Sequence, residues 1–302
     1  MPSIPANARW NQNGMTVAGG IEGGDALNQL LRSYGLFVDD NQTVIVADYR
    51  NHRIVQWKIG DENGQVLAGG HAAGNGSDQL NYPNDVLIDK DAGNLIICDQ
   101  DNRRVVRWFC QSSINREILI NNISCWGLAM DNQKNLYVSD WKKHEVRRYL
   151  IGDNKGILVA GGNGEGSGLN QLNGPSYISI DREQTVYVSD TFNHRVMKWN
   201  RGATEGIVVA GGNGVGDTLT QLCYPQGLYI DASDILYVTD SWNNRVMRWP
   251  KGATQGTVIV GGNGSGQRPN QLAAPIGLCF DRQGNLYIAD NENNRVQRFS
   301  IQ

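Results

Sequence analysis

The sequence predicts an all-β fold, a six-bladed β-propeller of four-stranded blades whose ring is closed by its own N-terminal strand. Three observations predict it. Six segments of similar pattern are centred on Asp48, Asp99, Asp140, Asp190, Asp240 and Asp290, at successive spacings of 51, 41, 50, 50 and 50 residues. A period near 50 with several short strands per unit fits a propeller blade. The chain also opens on a lone strand and ends one strand short of a full repeat.

Each repeat reads as four strands, seen most simply in the fifth. Residues 227–231 form an innermost strand a, 235–240 strand b, 245–249 strand c and 257–260 an outer strand d. All are β-branched or aromatic runs bounded by Gly, Asp, Asn or Pro. Several runs are apolar on both faces, which suits sheets held between neighbours. Residues 15–18 match an isolated strand d, and the sixth repeat stops after strand c at Phe299. Pairing the two completes blade six and removes an open seam that would invite aggregation. Six repeats and one displaced strand occupy residues 1–302 as a single propeller.

The pattern D-x-x-N-x-R-V, with N-H-R-I at 51–54 and N-H-R-V at 193–196, resembles the NHL-repeat family. So does P-x-G-L before strand a, at Pro225–Leu228 and Pro275–Leu278. The resemblance recurs six times over about residues 15–299. It implies the propeller fold. For function it implies only a choice among protein-binding and RNA-binding modules and enzyme scaffolds, because the fold hosts all three.

The repeated polar residues read as structural. Asp48/Arg53, Asp99/Arg104, Asp190/Arg195, Asp240/Arg245 and Asp290/Arg295 are each five apart across the b–c turn. The Asp is expected to accept N–H groups of that turn and to pair with the Arg that opens strand c. Asn51, Asn102, Asn193, Asn243 and Asn293 are expected turn residues. Blade three departs, with Lys143 for Asn and Glu145 for Arg, and lacks the glycine-rich insert. That insert, G-G-N-G at 161, 211 and 261, is followed by a strand and contains no Lys. It is therefore a tight connection and not a phosphate loop.

Composition narrows the function. With 27 Lys and Arg against 30 Asp and Glu, the net charge of −3 does not draw the whole molecule to nucleic acid or membrane. No apolar stretch is long enough to span a bilayer, and Met1–Ala6 has neither the basic nor the apolar region of a secretory signal. Of the four His, three sit at equivalent loop positions, so symmetry spreads them and no zinc site is expected. No cofactor is expected. Asn84 and Asp85 are weak candidates for calcium in the central channel. Cys98, Cys110, Cys125, Cys223 and Cys279 show no paired spacing and are expected as small apolar residues. Cys110 and Cys125 are expected on opposite faces, too far apart to bridge. Sequons at Asn41, Asn75, Asn122 and Asn263 favour an extracellular location, with cytoplasmic as the alternative.

In a propeller the d–a and b–c loops share one face, the top. Residues that vary there between blades carry the protein's individuality. They include Tyr34, Tyr49, Arg50, Trp126, Trp141, Lys142, Tyr177, Phe192 and Trp242. Aromatics with a few cations suit protein and glycan contacts. The expected function is thus a non-catalytic, monomeric scaffold binding a protein, peptide or glycan through the top face. The alternatives are an enzyme of lyase or lactonase type with a channel metal, and an RNA-binding module.

Overall fold

In the computed structural model the described residues are 4–5, 7–20, 22–89, 92–110, 116–153 and 155–302. The reading of Met1–Ala6 lies largely outside the described residues. After β1 (Met15–Gly19), blade one holds β2 (Ser33–Val38), β3 (Val44–Asp48), β4 (Arg53–Trp57) and β5 (Gln65–Gly69). Blade two holds β6 (Pro83–Asp89), β7 (Asn94–Asp99), β8 (Arg104–Trp108) and β9 (Arg116–Asn121). Blade three holds β10 (Cys125–Met130), β11 (Asn135–Asp140), β12 (Glu145–Leu150) and β13 (Ile157–Gly161). Blade four holds β14 (Pro175–Ile180), β15 (Val186–Asp190), β16 (Arg195–Trp199) and β17 (Ile207–Gly211). Blade five holds β18 (Pro225–Ile230), β19 (Leu236–Asp240), β20 (Arg245–Trp249) and β21 (Thr257–Gly261). Blade six holds β22 (Pro275–Phe280), β23 (Leu286–Asp290) and β24 (Arg295–Phe299). Each sheet is antiparallel and runs in chain order from the axis outward, and β1 supplies the outer strand of blade six.

Strand a begins two residues earlier than expected. Pro225 already pairs with Asp240, and a bulge between Pro225 and Leu228 carries the chain past an irregular stretch before pairing resumes. Proline lacks an N–H to donate but is tolerated at a strand's first residue.

The double-faced hydrophobicity of the strands has its expected cause. Six apolar cores lie between adjacent blades. In β19, Leu236 and Val238 pack toward blade four, while Tyr237 packs toward blade six. Successive side chains point to opposite faces, and both faces are covered.

Closure involves more than one strand. Besides the pairing of β1 with β24, Trp10 bridges to Ile301 and its indole N–H donates to the Gly284 carbonyl at 2.9 Å. Ile4, Ala8 and Trp10 enter the core between blades five and six.

The five Asp–Arg pairs form and are buried. Arg Nε lies 2.6–2.7 Å from Asp Oδ2. The second role expected of the Asp needs correction. Its Oδ1 accepts not from its own b–c turn but from the preceding d–a loop, at Leu31, Asn81, Asn173, Cys223 and Ala273. The b–c turn closes on backbone alone, as a single 3₁₀ turn without a side-chain cap in blades one, four, five and six. The Asn two residues before each Arg joins Asp Oδ2 to a glycine-loop carbonyl, as Asn243 does with Gly216. The guanidinium holds the same loop, Arg245 donating to Asp217 and Thr218. Each anchor therefore ties a glycine-rich insert to its blade. Blade three, which lacks the insert after β9, keeps the simpler form, with Lys143 N–H donating to Asp140.

In five blades the residue at the end of the b–c turn links one blade to the next through its side chain. His52, Asn244 and Asn294 adopt left-handed φ of 52–53°. Their side chains accept the backbone N–H of Tyr82, Ala274 and Arg32, respectively, at 2.9–3.0 Å. His144 and His194 do the same for Gly174 and Tyr224. An imidazole can accept only when neutral. Burial lowers the pKa of His52 and His194 below the ordinary 6.5. The unfolded chain then takes up protons first, so their contribution is complete above about pH 6.5 and declines as pH falls through the folded values. A His52→Asn/His194→Asn variant is expected to lose less melting temperature than wild type between pH 7 and pH 5. Parallel curves would contradict the acceptor role.

The cysteine expectation is corrected in part. Cys98 of β7 and Cys125 of β10 form a disulfide across blades two and three, with Cα atoms 5.9 Å apart. At the position of Cys98, blades three to five carry Ser139, Ser189 and Thr239, whose hydroxyls bond a strand-a carbonyl of the next blade. In these blades that position touches the neighbour's strand a, and in blade two a Cys at the start of that strand meets Cys98. The two are 27 residues apart, and only the inter-blade register brings them together. Cys110 is exposed and unbridged. Non-reducing peptide mapping is expected to recover the Cys98–Cys125 link with Cys110 free. Reduction is expected to cost about 3–4 kcal/mol on the chain-entropy model. A Cys110–Cys125 link would contradict the placement of β9.

Candidate ligand-binding face

The b–c and d–a loops meet on the top face. There, in blades one, three and four, the residue following the anchor Asp meets the second residue of its own strand a. Tyr49 stacks on Tyr34 with ring centroids 4.2 Å apart, Trp141 lies edge-on to Trp126 at 6.2 Å, and Thr191 donates to Ser176.

These pairs extend into two aromatic groups. Over blades one to three, Tyr34 reaches Trp126 at 6.1 Å and Tyr49 reaches Tyr82 at 4.8 Å. The Lys142 ammonium sits 5.2 Å above Trp141. Arg50 is exposed beside this group. Over blades four and five, Tyr224 lies between Phe192 at 6.0 Å and Trp242 at 4.6 Å. Phe192 leans over Gly174, where any Cβ would strike its ring. Trp242 is 67% exposed and Phe192 52%. A large apolar ring left in water marks a contact site more often than a stability element.

Tyr177 differs from the other sequence candidates. It is buried, and its hydroxyl donates to the Asn84 carbonyl at 3.1 Å, from blade four to blade two. It belongs to the axis of the ring and not to the exposed rim. Asp85 is likewise buried, its two oxygens accepting N–H from Val86 and from Leu128 of the next blade. Burial pushes its carboxyl up to about 7. Among the described residues no three His, Cys, Asp or Glu lie together as a metal-binding group.

Tyr82, Tyr224, His52 and His194 were not among the sequence candidates. Tyr82 and Tyr224 immediately precede Pro83 and Pro225. The signal available was that d–a loop residues share the top face with the b–c loops.

These features define a six-bladed β-propeller with an aromatic top face. The NHL repeat model matches residues 222–248 and 272–299, which carry strands a to c of blades five and six. The same anchor recurs in blades one, two and four, and the chain is an NHL-repeat propeller. No curated protein matches it. Among solved structures it is similar to a protein of unknown function from Bacteroides thetaiotaomicron, with TM-score 0.77, 17% identity, and 96% of this chain and 76% of that one covered. It is similar to an auxiliary nutrient binding protein from the same organism, with TM-score 0.72, 16% identity and coverage of 98% and 77%. It is also similar to a gluconolactonase from Xanthomonas campestris, with TM-score 0.68, 16% identity and coverage of 100% and 98%. At such identities the likeness concerns the fold. No helix among the described residues is long and apolar enough to cross a membrane.

Proposed function

We propose that the protein is a non-catalytic binding module that takes a protein, peptide or glycan across its top face. The observation that carries this reading is the pair of aromatic groups there, with Trp242 and Phe192 left exposed and with Arg50 and Lys142 beside the first group. Exposed aromatics flanked by cations supply large contact area at low entropic cost. The nutrient-binding neighbour supports a binding role. The Cys98–Cys125 bridge supports an extracellular setting, where disulfides persist, as do the exposed sequons Asn41, Asn75, Asn122 and Asn263.

Wild type and a Phe192→Ala/Trp242→Ala variant would be displayed on the same peptide and glycan arrays. The expected result is binding by wild type and loss in the variant, with unchanged melting. Full retention of wild-type signals by the variant would overturn the reading.

A second reading, an enzyme of lyase or lactonase type, is favoured by one observation, the buried Asp85 carboxyl near the axis with its raised pKa. Both its oxygens already accept backbone N–H groups, which suits a structural role better than proton transfer.

A further inference from the structure

Blade three alone is preceded by no glycine-rich insert. Elsewhere the insert runs beside strand c and is held at two levels. At the start of that strand the anchor Arg donates to insert carbonyls, as Arg195 does to Ser167 and Gly168. Near its end the glycine just before the outer strand does the same. Gly14, Gly64, Gly206 and Gly256 each donate a backbone N–H to an insert carbonyl at 2.7–2.8 Å. Gly156 holds this place in blade three, where there is no insert to meet it.

The residues of β12 record the difference. In the other five blades the position of Arg147 is taken by Val55, Val106, Met197, Met247 and Gln297, all completely buried. Arg147 is 34% exposed. The last residue of each insert, such as Leu172 or Leu222, is buried in the core between blades. Ile123 fills that role in blade three, beside Val105 and Tyr149, so the core is sealed and only the outer part of the wedge is uncovered. The result is a groove of about 480 Å³ between blades two and three. Ile120 and Asn121 form one wall, Lys143, Arg147 and Tyr149 the other, and Lys155 and Gly156 the end away from the top. Its size is that of a ligand site.

Among the described residues three cations and no carboxylate line this groove. Arg147 is largely spent: its Nε donates to Glu145 at 2.7 Å and its Nη1 to the Gly156 carbonyl at 2.8 Å. The Lys143 side chain is 58% exposed, its ammonium 3.8 Å from the buried Asp140 carboxylate, the long limit of an ion pair. Lys155 is exposed, and the nearby Asp153 accepts its backbone N–H. Lys143 and Lys155 therefore carry the charge that an occupant meets, separated by the length of β12, roughly 17 Å. In the other five wedges the occupant is a polypeptide segment of the chain itself. We propose that the groove between blades two and three binds an acidic peptide segment of a partner protein, laid where an insert would run. A carbonyl of that segment takes the Gly156 N–H, and two carboxylates reach Lys143 and Lys155. In an extended chain, residues four apart share a face and lie roughly 13 Å apart, which the long lysine side chains bridge. A sulfated sugar or an RNA brings the charge but no peptide backbone to replace the insert. The groove is separate from the top-face aromatics and does not depend on them.

The test is a saturation-transfer NMR titration of the full chain with the capped peptide Gly-Glu-Gly-Leu-Gly-Glu-Gly, its Gln counterpart and a doubly sulfated disaccharide. The protein is made in bacteria, so that the sequon at Asn122 on the groove wall carries no glycan. Wild type is expected to bind the Glu peptide about fivefold more tightly than the Gln peptide, the effect of two exposed ion pairs. Lys143→Gln/Lys155→Gln is expected to melt like wild type and to lose that preference, and each single substitution to reduce it about twofold. Phe192→Ala/Trp242→Ala is expected to keep it. No transfer to the Glu peptide, equal binding of the Gln peptide, tighter binding of the disaccharide, or a preference that survives in the lysine variants would overturn the proposal. Loss of the preference in Phe192→Ala/Trp242→Ala would place the peptide on the top face and overturn it as well.

Discussion

Removal of residues 1–19 is expected to turn a monodisperse protein into an aggregating one. The deletion strips the outer strand from blade six, leaving β24 with an unpaired edge where Met15, Thr16, Ala18 and Gly19 had been partners. It also uncovers the core between blades five and six, from which Ile4, Ala8 and Trp10 are withdrawn. An unpaired edge beside exposed apolar surface is a template for association. The single change Trp10→Ala separates the two effects, because it leaves the strand in place. Trp10 is buried, packs on Tyr237 and Phe280 and donates to Gly284. Its truncation is expected to cost about 3–5 kcal/mol. Chemical denaturation checks the point variant and light scattering the deletion. A monomeric deletion protein that melts like wild type would contradict closure by this segment.

Asp240→Ala is expected to destabilise the fold by about 3–5 kcal/mol, the range for breaking a buried ion pair on one side. The carboxylate accepts from Cys223 N–H, Asn243 and Arg245, and burial raises its pKa against the pull of those partners. Its loss leaves the Arg245 guanidinium, 7% exposed, without a counter-charge, and frees the loop that Arg245 holds. Lys251→Ala in the solvent-exposed Lys251–Asp234 pair is the control and is expected to change the denaturation midpoint little. Equal destabilisation by the two would show that burial does not set the weight of the anchor.

Much of this architecture was legible because each blade repeats one solution. The period of the Asp anchors set blade number, and the two-faced apolar strands, such as Leu236–Asp240, announced sheets covered on both sides. The displaced strand at Met15 announced closure. What repetition could not announce is where blades differ or meet. The partner of Asp48 lies in a loop 17 residues earlier, which strand pattern alone does not place. Cys98 and Cys125 face each other only through inter-blade register. Tyr177 looked like a rim residue because it occupies the start of strand a. Its place in the axis shows only in its long-range contact, the hydroxyl reaching the Asn84 carbonyl two blades away. The aromatic rim was readable as a set of residues, but its division into two groups needed Tyr82 and Tyr224, whose positive φ turns them back over the b–c loops.

Hydrogen exchange and hydroxyl-radical footprinting of the protein with a glycan or peptide bound from the array test the top-face account most directly. Protection is predicted at Trp141, Phe192, Tyr224 and Trp242 and in the adjoining b–c and d–a loops. The a–b turns at Asp231–Ile235 and Asp281–Asn285, on the opposite face, are predicted to be unchanged. Protection confined to those turns or to the outer strands β13 and β17, with the aromatic rim as reactive as in the free protein, would contradict the account.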